Sequence, residues 1–318
     1  MNKKATRHFG FPSIILALLA LAAWGALAAC SLDTYEPKEN EVKVTISGLG
    51  DKAVLARESL GAETARGFAA SWVKVAVIDG DGAQTGSGSL ALENGVWEGY
   101  VQLSGPGAMT FIVSAGTAAD QVSWMGSGAM TVGGKGQEIT VTVTVPALGA
   151  KGPAGGSIFY DKGSYSNGWR YLEASPTDTA ATASVSDNGY RLWAAQTTYV
   201  VGNTYAGIGY GKENTDWIQA AGNATMYPAA WYCAELECGG AADWFLPSWD
   251  ELAEMRKVIG HAGFHVEYQG AFWSSTERTA LDGGTDAAYY VYTDAYKTTK
   301  GPALKTNADV YVKAARRF

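Results

Sequence analysis

The residues best suited to catalysis are two histidines in the C-terminal part of the chain. His261 and His265 are four residues apart, a spacing that places both on one face of a helix. Gly260 and Gly263 disrupt such a helix, and there is no H-E-x-x-H zinc motif. A Ser-His-Asp triad needs one of these histidines, yet no G-x-S-x-G turn presents a serine. We therefore predict loop histidines without a catalytic role.

Carboxylates are the second source of possible chemistry. They are plentiful enough for a paired-acid glycoside hydrolase, but no spacing singles out a pair. Asp282 and Asp286 lie in a Gly-rich loop and could join a calcium site, the alternative being an exposed loop. The run from Asp79 to Gly82 could also bind calcium, although a hairpin turn is the simpler interpretation. No cofactor or metal site is predicted, and calcium is left open without a location.

Aromatic side chains offer binding chemistry, because their faces pack on a ligand while nearby polar groups fix its orientation. Tyr290 and Tyr292 alternate in sequence and so share one side of a strand. For each candidate ring, packing in the core is the alternative. The predicted ligand-contacting rings are Trp193, Tyr210, Trp217, Trp249, Tyr290 and Tyr292.

The N-terminal segment has the pattern of a secretion signal with a lipidation site. Three basic residues precede an apolar run from Ile14 to Ala29, which is short and alanine-rich for a membrane span. The run ends in L-A-A-C, which resembles a lipobox. The pattern predicts a signal peptide at 1–29, acylation of Cys30 and a polar tether at 30–40. We expect a lipoprotein of the bacterial cell envelope, anchored to the outer membrane.

The charge balance excludes one class of partner. Removal of residues 1–29 takes away three basic and no acidic side chains, so the 24 basic residues fall to 21 against 31 acidic ones, a net charge of −10. A nucleic-acid binder needs a basic surface. We therefore predict no nucleic-acid partner.

Cys233 and Cys238 leave two alternatives open. An oxidising envelope favours a disulfide, but residues five apart on a helix do not face each other. Gly239 and Gly240 could end the helix and allow the bond. A disulfide and two buried free thiols are both compatible with the sequence, and no nearby His or Cys completes a zinc site.

Residues 41–147 have the short alternating segments of an antiparallel β-sandwich. The segments E-V-K-V-T-I-S and W-V-K-V-A-V-I-D alternate, and Glu93-Asn94-Gly95 marks a hairpin turn. The region resembles the Ig-like or transthyretin-like modules that often follow a lipoprotein tether. It contains no catalytic constellation.

The composition changes after residues 148–156, a small Gly- and Pro-containing segment predicted as a linker. Of the 17 Tyr, 15 follow residue 150. Helices are predicted to begin at Pro228, near Asn214 and at Ser248, the last one continuing to Ile259. This region is predicted as a second, α+β domain at 157–318.

Two segments, Asp243–Leu252 and Ala271–Glu277, carry the strongest fold signal. In the first, Ser248 and Glu251 form an S-x-x-E capping box that begins a helix. The second predicts an apolar strand that ends in a hydroxyl-rich turn. The signature residues are Asp243, Trp244, Pro247, Ser248, Glu251, Trp273, Ser274 and Ser275.

Together with Gly155–Gly163 and Tyr311–Phe318, these segments resemble the bacterial DUF1566 module. That family is related to the C-terminal domain of the Legionella collagen-like adhesin. The resemblance covers roughly residues 152–318 and implies a C-type-lectin-like fold, with Trp244 and Trp273 in the core. It also implies that the first and last strands of the domain pair as neighbours.

The resemblance implies ligand binding at loops near the last strands, Glu277–Asp286 and Lys297–Asp309. The calcium-binding tripeptides of true lectins, Glu-Pro-Asn, Gln-Pro-Asp and Trp-Asn-Asp, are absent. The Legionella relative is associated with sulfated glycosaminoglycans, but Lys297, Lys300 and Lys305 form only a small basic stretch here. The formylglycine-generating enzymes share the broader fold, yet the cysteine positions do not match their motif.

We therefore expect a lipid-anchored envelope protein in which the β-sandwich is a stalk. The C-terminal domain is predicted to be a non-catalytic recognition or adhesion domain for a glycan or protein ligand. The expected partners are the membrane, through the lipid anchor, and that ligand. An envelope enzyme and a purely structural lipoprotein are the two alternatives.

Overall fold

Where the structure describes the N-terminal part, its alternating segments form eight strands in two sheets. The computed structural model describes residues 35–47, 70–93, 96–118, 121–178, 189–260, 262–264, 269–294 and 298–318. The strands are β1 (Glu41–Ser47), β2 (Trp72–Asp79), β3 (Gln84–Ser89), β4 (Ala91–Glu93), β5 (Val96–Gln102), β6 (Gly107–Gly116), β7 (Trp124–Val132) and β8 (Gln137–Thr142). The prediction of an all-β N-terminal region is confirmed.

The first sheet has the strand order β4-β5-β1-β8, and the second has the order β3-β2-β6-β7. Apolar side chains from both sheets, such as Val44, Val75 and Phe111, meet in one core. The predicted antiparallel pairing is wrong for β1 and β8, which run parallel. The chain crosses from β7 in the second sheet to β8 in the first. Strand β8 therefore joins the edge of the first sheet and runs in the same direction as β1.

The outer face of the second sheet packs against the C-terminal part of the chain. Ile78, Ile112 and Met125 form a cluster there with Ile158 and Tyr171. This shared hydrophobic cluster joins the two parts, and Lys38–Phe318 form one compact unit.

Residues 148–156, predicted as a linker, form a packed turn held by one buried carboxylate. Glu173 accepts hydrogen bonds from the backbone N–H groups of Ala154 (3.1 Å) and Gly156 (2.8 Å). A Cβ at Gly156 would lie 1.8 Å from the carbonyl oxygen of Ala174, so only glycine fits there. The second half of the segment is therefore fixed by side-chain and backbone contacts.

The C-terminal part contains two sheets that place its loops. One has the order β15-β10-β9 and the other the order β13-β12-β11-β14. The strands are β9 (Ser157–Ser166), β10 (Trp169–Ala174), β11 (Gln269–Glu277), β12 (Ala287–Asp294), β13 (Thr298–Leu304), β14 (Val310–Tyr311) and β15 (Ala315–Arg317). The expected pairing of the first and last strands is wrong, since β10 lies between them. They nevertheless belong to one sheet.

Within the described residues of this part, three α-helices lie among the strands: α1 (Gly211–Ala221), α2 (Pro228–Ala234) and α3 (Trp249–Ile259). Helix α2 begins at the predicted proline. Helix α3 has the predicted capping box, with both of its hydrogen bonds formed. Helix α1 begins three residues before the predicted Asn214, although Tyr210 at its N-cap gives no side-chain cap. In the described part of the chain, every helix lacks the length and hydrophobicity of a membrane span.

The second signature differs from its prediction. Strand β11 continues through the hydroxyl run to Glu277. Ser274, Ser275 and Thr276 are buried there and do not form a turn. Their hydroxyl groups are satisfied inside the domain: Ser274 donates to the Tyr289 carbonyl oxygen (2.8 Å), Ser275 accepts from Asn214 (3.0 Å) and Thr276 donates to the Tyr205 carbonyl oxygen (3.1 Å).

Candidate functional site

Three aromatic side chains form an exposed cluster beside the start of α1, here called the platform (Tyr205, Tyr210 and Trp217). They expose 52%, 44% and 36% of their surface, respectively. The ring of Tyr205 is 4.9 Å from that of Tyr210 and 5.8 Å from that of Trp217, between centroids. Tyr210 and Trp217 are seven residues apart at the helix and so lie on one face. Such grouped, solvent-facing rings can pack against a flat ligand surface.

The capping residues of α3 hold the loop that carries the platform. The Ser248 hydroxyl donates to the carbonyl oxygen of Gly207 (2.8 Å). The Glu251 carboxylate accepts from the N–H groups of Gly209 (2.8 Å) and Ser248 (2.8 Å). The N–H of Asp250 donates to the carbonyl oxygen of Ala206 (2.9 Å). The capping box thus fixes the loop as well as its own helix.

The hydroxyl run of β11 fixes the backbone of Tyr205 from the other side. Asn214 accepts from the Tyr205 N–H (2.8 Å) and donates to the Tyr205 carbonyl oxygen (2.7 Å). Its amide also donates to the Ser275 hydroxyl (3.0 Å), and the Thr276 hydroxyl donates to the same Tyr205 carbonyl (3.1 Å). Since these groups are buried, the platform is held on a rigid support.

Glu251 is a fully buried acid beneath this loop. Burial raises its pKa from 4.5 to about 7, whereas the hydrogen bonds from Ser248, Gly209 and Gly211 act in the opposite direction. The nearby Glu213 carboxylate raises the pKa further. The loop support is therefore a group that titrates near neutral pH.

The two signatures and the chain's end contact one another directly. The N–H of Ser275 donates to the carbonyl oxygen of Pro247 (2.8 Å). The Arg316 guanidinium donates to both carboxylate oxygens of Asp243 (2.8 and 3.1 Å). Trp244 and Trp273 are buried, as predicted. These signature residues hold the loops and the last strand in place.

A second aromatic group lies around Trp249, and the faces of its rings contact other residues of the chain. Its ring stacks on Tyr289 with a centroid distance of 4.2 Å. The Lys300 ammonium lies 4.6 Å from the Trp249 ring centroid and 2.9 Å from a carboxylate oxygen of Asp250. The Trp249 indole N–H donates to the Tyr290 carbonyl oxygen (3.1 Å). The predicted ring is thus engaged in packing.

Three other predicted rings lie away from the platform. Trp193 is 1% exposed, and its indole N–H donates to the Ser274 carbonyl oxygen (2.9 Å). It is a core residue, so its faces do not reach a ligand. Tyr290 and Tyr292 are half-buried, and Tyr290 packs edge-on against Trp273. The structure does not bring these three together with Tyr210 and Trp217.

The residues predicted as possible calcium ligands each bind a different protein group. The Thr279 hydroxyl donates to the Asp282 carboxylate (2.7 Å), and Asp286 pairs with Arg278 at 2.6 Å. In the Asp79 turn, the side chain of Asp79 accepts from two backbone N–H groups and closes the hairpin. Among the described residues, no group of three or more His, Cys, Asp or Glu side chains could hold a metal.

The small basic stretch is not a continuous surface. Lys305 is buried beside Glu277, and Lys300 pairs with Asp250. Lys297 lies outside the described residues, as do His261, His265 and the predicted lipidation site Cys30. The two described lysines therefore offer little free charge to a polysulfated ligand.

Both cysteines of the C-terminal part are free thiols, Cys233 buried and Cys238 half-buried. Burial raises the pKa of each thiol.

We expect a thiol reagent to modify Cys238 slowly and Cys233 only after unfolding, since the thiolate is the reactive form. Mass spectrometry of the native protein after reagent treatment tests this order. Equal labelling of both would contradict the burial of Cys233, and a mass gain of two hydrogen atoms on reduction would indicate a disulfide.

Sequence reasoning missed Tyr205, the central ring of the platform, and the buried pair of Glu277 and Lys305. The sequence does contain a signal for Tyr205: it precedes a loop with Gly207 and Gly209 and lies five residues before Tyr210. Nothing local marks the pair, since its members are 28 residues apart.

No protein-family model, no curated protein and no solved structure matches the chain.

Proposed function

We propose that the chain is a lipid-anchored envelope protein whose C-terminal domain binds a glycan, without catalysis, at the platform of Tyr205, Tyr210 and Trp217. The observation that carries the proposal is the exposure of three grouped rings, one on α1 and two on a loop fixed by partly buried hydrogen bonds. Large apolar rings are seldom left in solvent as a group unless they have a partner. A preformed surface also loses little entropy on binding.

The choice of a glycan rests on the chemistry of the site. Polar groups surround the rings, with Lys212 and Asp216 paired beside Trp217 on α1 (2.6 Å). Aromatic faces with polar neighbours suit a sugar, which has apolar C–H faces and hydroxyl edges. A groove for an apolar peptide would need a wider apolar surround.

The proposal retains a C-type-lectin-like fold for residues 157–318 and an Ig-like or transthyretin-like fold for residues 41–147. The first is supported by the sheet that contains both β9 and β15, and the second by two packed four-stranded sheets. The anchor is supported by the L-A-A-C sequence that ends at Cys30. The bacterial outer membrane is its proposed location.

A glycan array probed with the full-length protein, purified in detergent, tests the proposal. For a glycan that binds, Trp217→Ala and Tyr205→Ala are each expected to weaken binding by up to about tenfold, because a stacked ring contributes about 0.5–1.5 kcal/mol. Tyr100→Ala removes a ring of similar exposure from the N-terminal part and is expected to leave binding unchanged.

The array is run with calcium and with a chelator. Binding that persists in chelator agrees with the platform, which contains no carboxylate cluster among the described residues. Binding that is unaffected by both platform variants, or no binding to any glycan, would reject the proposed site.

A further inference from the structure

A cleft of about 750 Å³ lies between the outer face of the second sheet and the C-terminal strand β15. This volume is typical of a small-molecule site, and such sites often occur between domains. None of the three platform rings lines it. The lining residues that matter here are Trp72, Lys74, Ser87, Ser89, Arg316 and Phe318.

The floor of the cleft follows from the alternation of β2. Val73 and Val75 point into the sandwich core, so Trp72 and Lys74 point outward. Lys74 lies opposite Ser89 on β3 and opposite Ser114 on β6. Directly opposed residues of antiparallel strands share a face. The floor thus presents an ammonium group between two hydroxyl groups.

Lys74 is the unpaired cation of this cleft. Its ammonium lies 5.3 Å from the Trp72 ring centroid, and among the described residues it has no carboxylate partner. Arg316 is shared between Asp243 and Glu173, and Arg317 pairs with Glu213. A free positive charge in a concave site attracts an anion, although the chain as a whole has a net charge of −7.

We propose that this cleft binds a small ring-bearing carboxylate. The carboxylate pairs with Lys74, the adjacent serine hydroxyls donate to it, and the ring packs against Trp72 and Phe318. Phe318 is itself held by stacking on Tyr171, at a centroid distance of 5.4 Å. The ring can belong to an aromatic acid or to an acidic sugar, since both carry the carboxylate beside a flat, partly apolar body. This site is independent of the platform and of its proposed glycan.

Ligand-detected NMR titration of the full-length protein in detergent tests the proposal with two carboxylates, 4-hydroxyphenylacetate and galacturonate. Each is compared with a neutral counterpart, 4-hydroxyphenylacetamide and galactose. At least one carboxylate is expected to bind. Its neutral counterpart is expected to bind about tenfold more weakly. The stronger of the two acids identifies the kind of ring. Binding is expected to weaken as salt rises.

Lys74→Met is expected to weaken binding of the carboxylate about tenfold. Lys135→Met, which removes an exposed lysine from the turn between β7 and β8, is the matched control and should leave binding unchanged. Trp217→Ala should also leave it unchanged, which separates this site from the platform. The proposal is overturned if neither acid binds at millimolar concentration, if acid and neutral forms bind equally, or if Lys74→Met has no effect.

Discussion

Replacing Glu277 with alanine is expected to lower the free energy of unfolding by about 3–5 kcal/mol. The Glu277 carboxylate pairs with the Lys305 ammonium, and the two side chains are 3% and 0% exposed. It also accepts from the backbone N–H groups of Val201 (3.1 Å) and Gly202 (2.7 Å). The alanine variant leaves the buried Lys305 ammonium and the partly buried N–H groups of Val201 and Gly202 without this partner. Urea unfolding of the full-length protein, followed by circular dichroism, measures the loss.

The matched control is Glu254→Ala, which breaks the exposed pair with Lys257. It is expected to change stability by less than about 1 kcal/mol, because water screens that pair. The double variant Glu277→Gln/Lys305→Met removes both charges and should recover part of the loss. Burial lowers the pKa of Lys305, because the buried ammonium loses its contacts with water. A loss below about 1 kcal/mol for Glu277→Ala would mean that the pair is solvated.

The second expected result is a loss of stability between mildly acidic and neutral pH that depends on Glu251. The folded-state pKa is about 7, above the ordinary value of 4.5. The folded protein therefore binds this proton more tightly than the unfolded chain does. The resulting stability is fully present below the unfolded pKa and is lost as the pH rises through the folded pKa. The difference between the two pKa values corresponds to about 3 kcal/mol.

Urea unfolding of the wild type and of Glu251→Gln from pH 4 to pH 8 isolates this contribution, because glutamine does not ionise. The wild-type stability minus the variant stability should fall by about 3 kcal/mol across the range. Glu254→Gln, at a partly exposed acid on the same helix, should show a constant difference from the wild type. A constant difference for Glu251→Gln would contradict the raised pKa.

Both results concern the support of the proposed binding surface. Glu251 holds the Gly209 N–H beside Tyr210, and Glu277 holds the preceding residues 201–202. A variant that weakens either carboxylate is therefore expected to loosen the loop that carries the platform. Glycan binding by such variants is best interpreted only after their stability has been measured.

Much of the local structure could be predicted from the sequence. The capping box of Ser248 and Glu251, the start of α2 at Pro228 and the valine alternation of β2 all depend on residues a few positions apart. Their hydrogen bonds and side-chain directions are set by the chain itself. This is why these elements form where the sequence places them.

Only the tertiary structure separates the accessible rings from the buried ones. Trp193 and Trp217 both lie in aromatic, polar segments, yet one is in the core and the other on the surface. Local sequence does not decide between them, because burial depends on which distant strands cover the ring. The grouping of Tyr205 with Trp217 likewise requires the loop to be fixed by Asn214, Thr276 and the α3 cap.

The strands, the helices and the cap of α3 follow from residues close together in the chain, and the lipidation of Cys30 stays a prediction. The tertiary structure alone decided the platform, the buried pair of Glu277 and Lys305 and the cleft around Lys74. The physical reason is sequence separation. Caps and alternation are local, whereas the burial of a charge and the exposure of a ring depend on packing between segments far apart in the chain.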